Sequence, residues 1–330
     1  MNETSSPAGA LIIVLRVYPG SIASLVRLTN LELNRMKTIR AFLTIMLLCL
    51  GATLPAHGQE AIDFANIREQ AMFANVAYQS ESEIRALVES SDYELTLYHT
   101  IPGIQVAFFL ATSVATQTQV ISIRGTSNIE NTMVNVSLKL SVDTDLGVSL
   151  HQGFGVSAKR VYAELKPLLK PEYKINITGH SLGGAIALVL AMLLDKDQFK
   201  VEQVVTFGQP KVTNVPGANS IQHINLIRVV TPIDLVPLVP LFDPLDINNL
   251  DIFWHAGREV ILLDDTQFAV LDGMDSMLRA TKFTQRFLSE ENLEHHRMSV
   301  YLKLIDARVA SSEQVPYKTD LNLFNLFGSE

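Results

Sequence analysis

One short motif constrains this chain more than any other feature: a serine framed by glycines, between a predicted strand and a predicted helix. The segment Gly179-His180-Ser181-Leu182-Gly183 has the pattern G-x-S-x-G and joins a β-type run ending at Thr178 to an Ala/Leu-rich helical run. A turn tight enough to expose the serine hydroxyl requires Gly179 and Gly183, because a Cβ atom at either position would clash across the bend. The helix start would also favour a developing oxyanion beside Ser181. The alternative is an ordinary glycine-rich turn in which Ser181 only caps the helix.

A serine nucleophile needs a base that takes its proton and an acid that fixes the tautomer of the base. In hydrolases built around this type of turn, the acid and the base follow the nucleophile in the chain, on loops after later strands. Asp234 fits the acid best, because it follows the apolar run 226–230 and lies in a loop that Pro232 and Pro237 stiffen. The alternative acids are Asp243, Asp246 and Asp251.

Four histidines downstream of Ser181 compete for the role of the base. They are His223, His255, His295 and His296. We select His296, since it opens a helical stretch from which its ring could point back at the sheet. His255 precedes a predicted strand and is interpreted as a structural, hydrogen-bonding histidine, and the adjacent His295 is the nearest competitor.

The spacing of apolar residues predicts an α/β architecture. Antiparallel hairpins come first and strands alternating with helices follow, which is typical of a mostly parallel central sheet flanked by helices. We expect a single domain over residues 59–330. The predicted helices are 60–79, 155–170, 182–194 and 293–307, and the predicted strands are 95–98, 105–110, 119–123, 174–178, 204–207, 226–230 and 259–263.

Composition excludes several classes of function. With 48% hydrophobic and 18% charged residues, the chain has the apolar content of a folded protein. A net charge of −8 without a long basic run argues against nucleic acid as a partner. The single cysteine, Cys49, rules out intrachain disulfides, cysteine-ligated zinc and iron–sulfur clusters. We expect no cofactor. We also expect no metal site, because the acidic residues 246–251 lack the spacing of a calcium loop.

The first 58 residues are interpreted as lying outside the folded domain, with a targeting segment among them. From Met36, a basic stretch, an apolar run over 41–54 and the small residues Ala56 and Gly58 match a secretory signal peptide over 36–58. Residues 1–35 are interpreted as an upstream extension. We therefore expect a secreted or periplasmic protein beginning near Gln59. A membrane anchor is the alternative, but the apolar run is shorter than the roughly 20 residues that span a bilayer.

With these residues assembled, the chain resembles the class 3, or fungal-type, lipase family over most of residues 60–306. The resemblance implies an α/β-hydrolase fold and hydrolysis of carboxylic esters of lipids. It also implies that Thr126 gives its backbone N–H and hydroxyl to the oxyanion hole, with the N–H of Leu182 as the second donor. The motifs that carry it are Ile123-Arg124-Gly125-Thr126, Asn128-Ile129-Glu130-Asn131, His151-Gln152-Gly153-Phe154, the serine motif, Thr206-Phe207-Gly208-Gln209-Pro210, the Asp234 loop, His255-Ala256-Gly257-Arg258-Glu259 and His296 to Tyr301.

The lid region departs from the family pattern. Family lids usually carry a tryptophan where this chain has Thr132, and the single tryptophan is Trp254. Residues 134–142 alternate between apolar and polar, which predicts a half-buried strand and confines a mobile lid to about 127–133. We expect weak interfacial activation.

The sequence therefore predicts a serine ester hydrolase, either a triacylglycerol lipase or a phospholipase, whose partner is a lipid or ester substrate at a membrane or oil–water interface. No obligate protein partner is inferred. The alternative within the enzymes is a soluble short-chain or feruloyl-type esterase on the same fold. The alternative outside them is a catalytically silent lipid-binding protein, which would have no need of a complete Ser/Asp/His set.

Overall fold

The computed structural model describes residues 61–126, 139–240, 252–281 and 290–317. The predicted signal peptide and upstream extension lie outside these ranges. The helices are α1 Phe64–Val76, α2 Glu81–Ser90, α3 Gln152–Leu165, α4 Leu182–Lys196, α5 Val215–Ser220, α6 Gly273–Thr281, α7 Glu290–His295 and α8 Met298–Ala310. The strands are β1 Glu94–Ile101, β2 Val106–Ser113, β3 Thr118–Ile123, β4 Leu140–Asp143, β5 Val148–His151, β6 Lys174–His180, β7 Lys200–Phe207, β8 Thr213–Asn214, β9 Leu226–Val230, β10 Phe253–Trp254, β11 Arg258–Leu262, β12 Gln267–Asp272 and β13 Glu313–Gln314.

Nine of the described strands form a central sheet in the order β1-β2-β3-β6-β7-β9-β11-β12-β13. The first three strands pair antiparallel, and the pairs from β3 through β6, β7 and β9 to β11 are parallel. This confirms the predicted change from antiparallel hairpins to a parallel sheet. The antiparallel strand β12 was not predicted. The carboxyl ends of the parallel strands meet at one edge, where binding sites of α/β sheets form.

Helices cover both faces of this sheet, as the alternation of its side chains requires. On β2 and β3, Phe108, Leu110 and Ile121 join the buried cluster of α3 and α4, while Phe109 and Val120 face the cluster of α1 and α2. The helix α4 is buried from Gly183 to Leu194, as expected for a run too apolar to face water on any side. None of the described helices is long and apolar enough to cross a bilayer.

Two predicted elements are wrong in part. The predicted helix 293–307 is broken, because Arg297 is extended, with φ −72° and ψ 140°, and α8 begins only at Met298. The predicted helix 155–170 begins earlier, at Gln152, and its α-helical part ends at Leu165.

Residues 134–138 of the predicted strand 134–142 lie outside the described ranges, as does the predicted mobile lid over 127–133. The described end of the predicted strand is β4, which pairs with β5 in a second, small sheet of order β10-β8-β5-β4. Val142 is 70% exposed there, so its expected position on a buried face is wrong.

Candidate active site

The glycine-framed serine lies at the expected junction between strand and helix. Ser181 connects β6 directly to α4, with φ 57° and ψ −130°. This backbone conformation is strained for a residue with a side chain and is typical of a serine held at a sharp turn. A Cβ atom on Gly179 would lie 2.5 Å from the carbonyl oxygen of Gly183, and one on Gly183 would overlap the carbonyl oxygen of Ile123. Both glycines are therefore required by close backbone approaches.

The selected acid and base lie in contact. The Nδ1 atom of His296 is 2.8 Å from Oδ2 of Asp234, and both residues are buried. The other carboxylate oxygen of Asp234 accepts the N–H of Val236 at 2.9 Å. The side chain of Asn292 donates to the carbonyl oxygen of Ile233 at 2.9 Å, which ties the loop of Asp234 to the helix before His296.

The two atoms that would exchange a proton are buried and form no hydrogen bond within the described part of the chain. Neither Oγ of Ser181 nor Nε2 of His296 has a hydrogen-bond partner among the described residues. The N–H of Ser181 donates to the carbonyl oxygen of Phe207 at 2.8 Å. Gly208 follows with φ +58°, and a Cβ atom on it would lie 2.7 Å from Cε1 of His296 and 2.9 Å from Oδ2 of Asp234. One backbone segment thus holds the serine and leaves room for the imidazole.

The loop after β3 passes directly beside the serine. A Cβ atom on Gly125 would lie 3.1 Å from Cβ of Ser181 and 2.6 Å from the carbonyl oxygen of His180. Thr126 is the next residue, and Leu182 is the first residue of α4, where a backbone N–H has no acceptor within its own helix. Of the two predicted oxyanion donors, Thr126 thus follows the glycine that lies beside Ser181, and Leu182 directly follows Ser181 in the chain.

The other candidate bases and acids lie elsewhere or outside the described residues. His223 is exposed and pairs with Asp195 at 2.9 Å. His255 is buried, and burial holds its pKa well below the ordinary value, with nearby cations led by Arg228 lowering it further. His295 ends α7, one residue before the turn that carries His296. Asp243, Asp246 and Asp251 lie outside the described residues.

Sequence reasoning missed three side chains that contact this arrangement. Tyr301, on the first turns of α8, donates its hydroxyl to Oδ2 of Asp234 at 2.5 Å. His180 bonds the carbonyl oxygen of His296 through Nε2, and Tyr78 bonds Nδ1 of His180, both at 2.7 Å. Tyr301 lies within one of the motifs that carry the family resemblance. No pattern in the sequence predicts the hydrogen bond of its hydroxyl or the hydrogen bonds of Tyr78 and His180.

A buried group of charges underlies the loop of Asp234. Lys211 donates from Nζ to the carbonyl oxygen of Leu238 at 2.8 Å, and burial, followed by repulsion from Arg228, lowers its pKa to about 7. Glu259 pairs with Nη2 of Arg279 at 2.5 Å and lies 3.6 Å from Nη2 of Arg228. Burial alone would raise the pKa of Glu259, but the two guanidinium groups outweigh it and hold that pKa below the ordinary value. We call Lys211, Arg228, Glu259 and Arg279 the buried charge cluster.

Comparisons with known proteins find similarity to lipases. Residues 120–243 match the family model described as Lipase (class 3). The chain is 34% identical over 144 residues to a secreted mono- and diacylglycerol lipase 1 of Fusarium solani, an alignment that covers 41% of this chain and 43% of that protein. It is 31% identical over 156 residues to a lipase of Rhizomucor miehei, covering 43% and 41% of the two chains. The chain thus spans less than half the length of these curated relatives.

Solved structures show the same fold. The crystal structure of a lipase from Rhizopus microsporus var. chinensis has a TM-score of 0.52 and 25% identity, over 60% of this chain and 74% of that one. A triacylglycerol lipase whose catalytic centre is formed by a serine protease triad has a TM-score of 0.55 and 24% identity, over 73% of this chain and 94% of that one. The sheet with helices on both faces is an α/β-hydrolase fold. In sequence and in fold the chain is thus similar to the class 3 lipases of the α/β-hydrolase superfamily.

Proposed function

We propose that this protein hydrolyses carboxylic esters of lipids through an acyl-enzyme, with Ser181 as nucleophile, His296 as general base and Asp234 as the acid that orients it. The single observation that carries the proposal is the 2.8 Å contact between Nδ1 of His296 and the carboxylate of Asp234. This contact fixes the tautomer in which Nε2 is a bare acceptor. The same Nε2 and the hydroxyl oxygen of Ser181 are both buried without a hydrogen-bond partner among the described residues.

The reaction follows from these positions. Oγ of Ser181 attacks the ester carbonyl carbon while its proton passes to Nε2 of His296. The negative charge that forms on the carbonyl oxygen is stabilised by Thr126 and by the N–H of Leu182. The C–O bond then breaks, and the alcohol leaves with the proton from Nε2. Water hydrolyses the acyl-serine by the same steps, which releases the fatty acid and restores Ser181.

The substrate class is an acylglycerol or phospholipid. The most similar relatives reported above are named as lipases, one of them as a mono- and diacylglycerol lipase. A phospholipase A1 of Arabidopsis thaliana is 27% identical over 116 residues, so a phospholipid headgroup is the second candidate. A short-chain or feruloyl-type esterase on the same fold is distinguished by activity on monomeric esters with none on emulsions or vesicles.

We also propose that the protein is exported and begins near Gln59, which lies outside the described residues. Support comes from the signal-like segment 36–58 and from the Fusarium solani relative, which is named as secreted. Amino-terminal sequencing of material from the periplasm or the medium tests this. A membrane-bound form that retains Met36 would contradict it.

The central test compares variants on triolein, phosphatidylcholine vesicles and a short nitrophenyl ester. Ser181→Ala should lower the rate on every substrate by about a thousandfold or more with an unchanged fold, because the hydroxyl contributes to rate and not to the core. His296→Ala should match it, while His295→Ala, the matched control, should retain activity. An active Ser181→Ala protein would refute the mechanism, and an inactive His295→Ala protein with active His296→Ala would reassign the base.

A further inference from the structure

His180 is a buried residue with partners on both ring nitrogens, and it directly precedes Ser181. Its Nε2 lies 2.7 Å from the carbonyl oxygen of His296. Because a carbonyl oxygen only accepts, the hydrogen of the neutral ring resides on Nε2. Nδ1 is then the acceptor, so the hydroxyl of Tyr78 donates to it across 2.7 Å. The tautomer of His180 is therefore determined by its partners.

The ring of His180 is held neutral. Burial keeps the pKa of His180 well below its ordinary value, and the neighbouring His296 lowers it further. The two ring centroids lie 4.5 Å apart. During the proposed reaction His296 becomes an imidazolium, so a second positive charge at this distance would oppose the transition state. A neutral His180 can support the backbone of His296 without this repulsion.

The chain of hydrogen bonds continues to the loop that carries Thr126. The backbone N–H of Gly125 donates to the hydroxyl oxygen of Tyr78. A Cβ atom on Gly125 would overlap this same hydroxyl oxygen. Burial raises the pKa of Tyr78, so the hydroxyl keeps its proton throughout the working pH range. One neutral chain thus runs from Gly125 through Tyr78 and His180 to the carbonyl oxygen of His296.

We propose that Tyr78 and His180 are positioning residues that set the oxyanion loop and the catalytic histidine relative to each other. The inference rests on the function proposed above. Tyr78 follows α1, whereas Gly125, His180 and His296 follow β3, end β6 and follow α7, so four separate parts of the chain meet in these three bonds. Neither side chain is hydrogen-bonded to the reacting atoms, Oγ of Ser181 and Nε2 of His296. The pair acts by fixing the loop that would bind the oxyanion and the backbone that carries the general base, which matters because errors of about 1 Å at such sites cost about a hundredfold in rate.

The test uses Tyr78→Phe, which removes one hydroxyl and keeps the ring. We expect kcat on a soluble nitrophenyl ester to fall about tenfold with KM within about twofold, since the positions of the donors change and ground-state binding does not. Rates are given per site titrated with a fluorophosphonate, so that misfolded protein does not count. The control is Tyr173→Phe, a buried tyrosine just before the opposite end of the same strand, β6, which should behave as wild type.

A double-mutant cycle tests whether Tyr78 and His180 act as one unit or contribute independently to the rate. His180→Gln keeps an amide that can reach the carbonyl oxygen of His296, and we expect it also to lose about tenfold in kcat. If Tyr78 and His180 act as one unit, the double variant should lose about as much as the worse single variant, whereas independent effects would multiply to about a hundredfold. A hundredfold loss in the double variant, or Tyr78→Phe within twofold of wild type, would overturn the proposal. These results are read against Ser181→Ala: if that variant is active, the proposed function itself fails, and if it is inactive while Tyr78→Phe is normal, only the positioning role fails.

Discussion

Replacement of Lys211 by methionine should change how the stability of the protein depends on pH. Lys211 belongs to the buried charge cluster and lies beneath the loop of Asp234. Its pKa falls from the ordinary 10.5 to about 7 because the folded protein buries its ammonium group and places it near Arg228. Between these two pH values the unfolded chain binds a proton at Lys211 that the folded protein has released. Stability must therefore rise with pH across this window.

The size of the effect follows from the shift in pKa. Each pKa unit corresponds to about 1.4 kcal/mol, so the lowering from 10.5 to about 7 amounts to about 5 kcal/mol over the full window. Half of the folded molecules are still protonated at pH 7, so the part gained between pH 7 and pH 9 is about 2 kcal/mol. Lys211→Met removes the titrating group and should remove this part of the pH dependence. The advantage of the variant over wild type in free energy of unfolding should therefore be largest at low pH and shrink as the pH rises.

Urea unfolding at pH 6, 7, 8 and 9 measures the prediction. The difference in free energy of unfolding between wild type and Lys211→Met should move by about 2 kcal/mol in favour of wild type from pH 7 to pH 9. Other titrating groups are common to both proteins and cancel in the difference. Lys174→Met, at a lysine whose side chain is 58% exposed, is the control and should give a constant difference. Parallel curves for wild type and Lys211→Met, within about 0.5 kcal/mol, would refute the argument.

Three further variants probe the site. Thr126→Val keeps the backbone N–H and removes the hydroxyl; kcat should fall about a hundredfold with KM nearly unchanged, and an unchanged kcat would make Thr126 a turn residue only. Gly208→Ala places a methyl group 2.7 Å from Cε1 of His296 at φ +58°; we expect a loss of stability of about 1 to 3 kcal/mol in thermal unfolding and a loss in kcat above about tenfold, whereas a normal variant would show that the imidazole can shift freely. Tyr301→Phe removes the hydroxyl that donates to Asp234 at 2.5 Å. Steady-state kinetics should show kcat lowered by about tenfold, and wild-type kinetics would mean that the N–H of Val236 and the ring of His296 are sufficient to hold the carboxylate.

The parts of the fold that the sequence predicts are those with local causes. On β2 and β3, successive side chains face opposite sides of the sheet, and α4 is apolar all round. In each case the residues of the segment itself indicate which of its faces are buried. The serine turn was predictable for the same reason, because its glycines are required within five residues. Another local signal is the capping box of Ser80 and Glu83, which starts α2, a helix that the spacing of apolar residues does not predict.

The parts that escape prediction depend on distant partners. Tyr78 lies 102 positions from His180, and the spacing of apolar residues carries no information on such a contact. The break before α8 is similar, because Arg297 is extended although the apolar pattern runs on through it. Its cause is tertiary: the break turns the backbone so that His296 faces both Asp234 and His180.

The burial of α4 has a consequence for how this protein exchanges with solvent. The residues from Gly183 to Leu194 are all buried between the sheet and α3. Amide hydrogens in such a helix are expected to exchange with deuterium only when the whole domain opens, whereas those of the half-buried strand β4 should exchange through local fluctuations. Ser181 therefore stands at the start of a helix that should be among the slowest-exchanging parts of the described chain. Under the proposed function, substrates of different size would have to be accommodated by residues outside α4, while Ser181 stays in place.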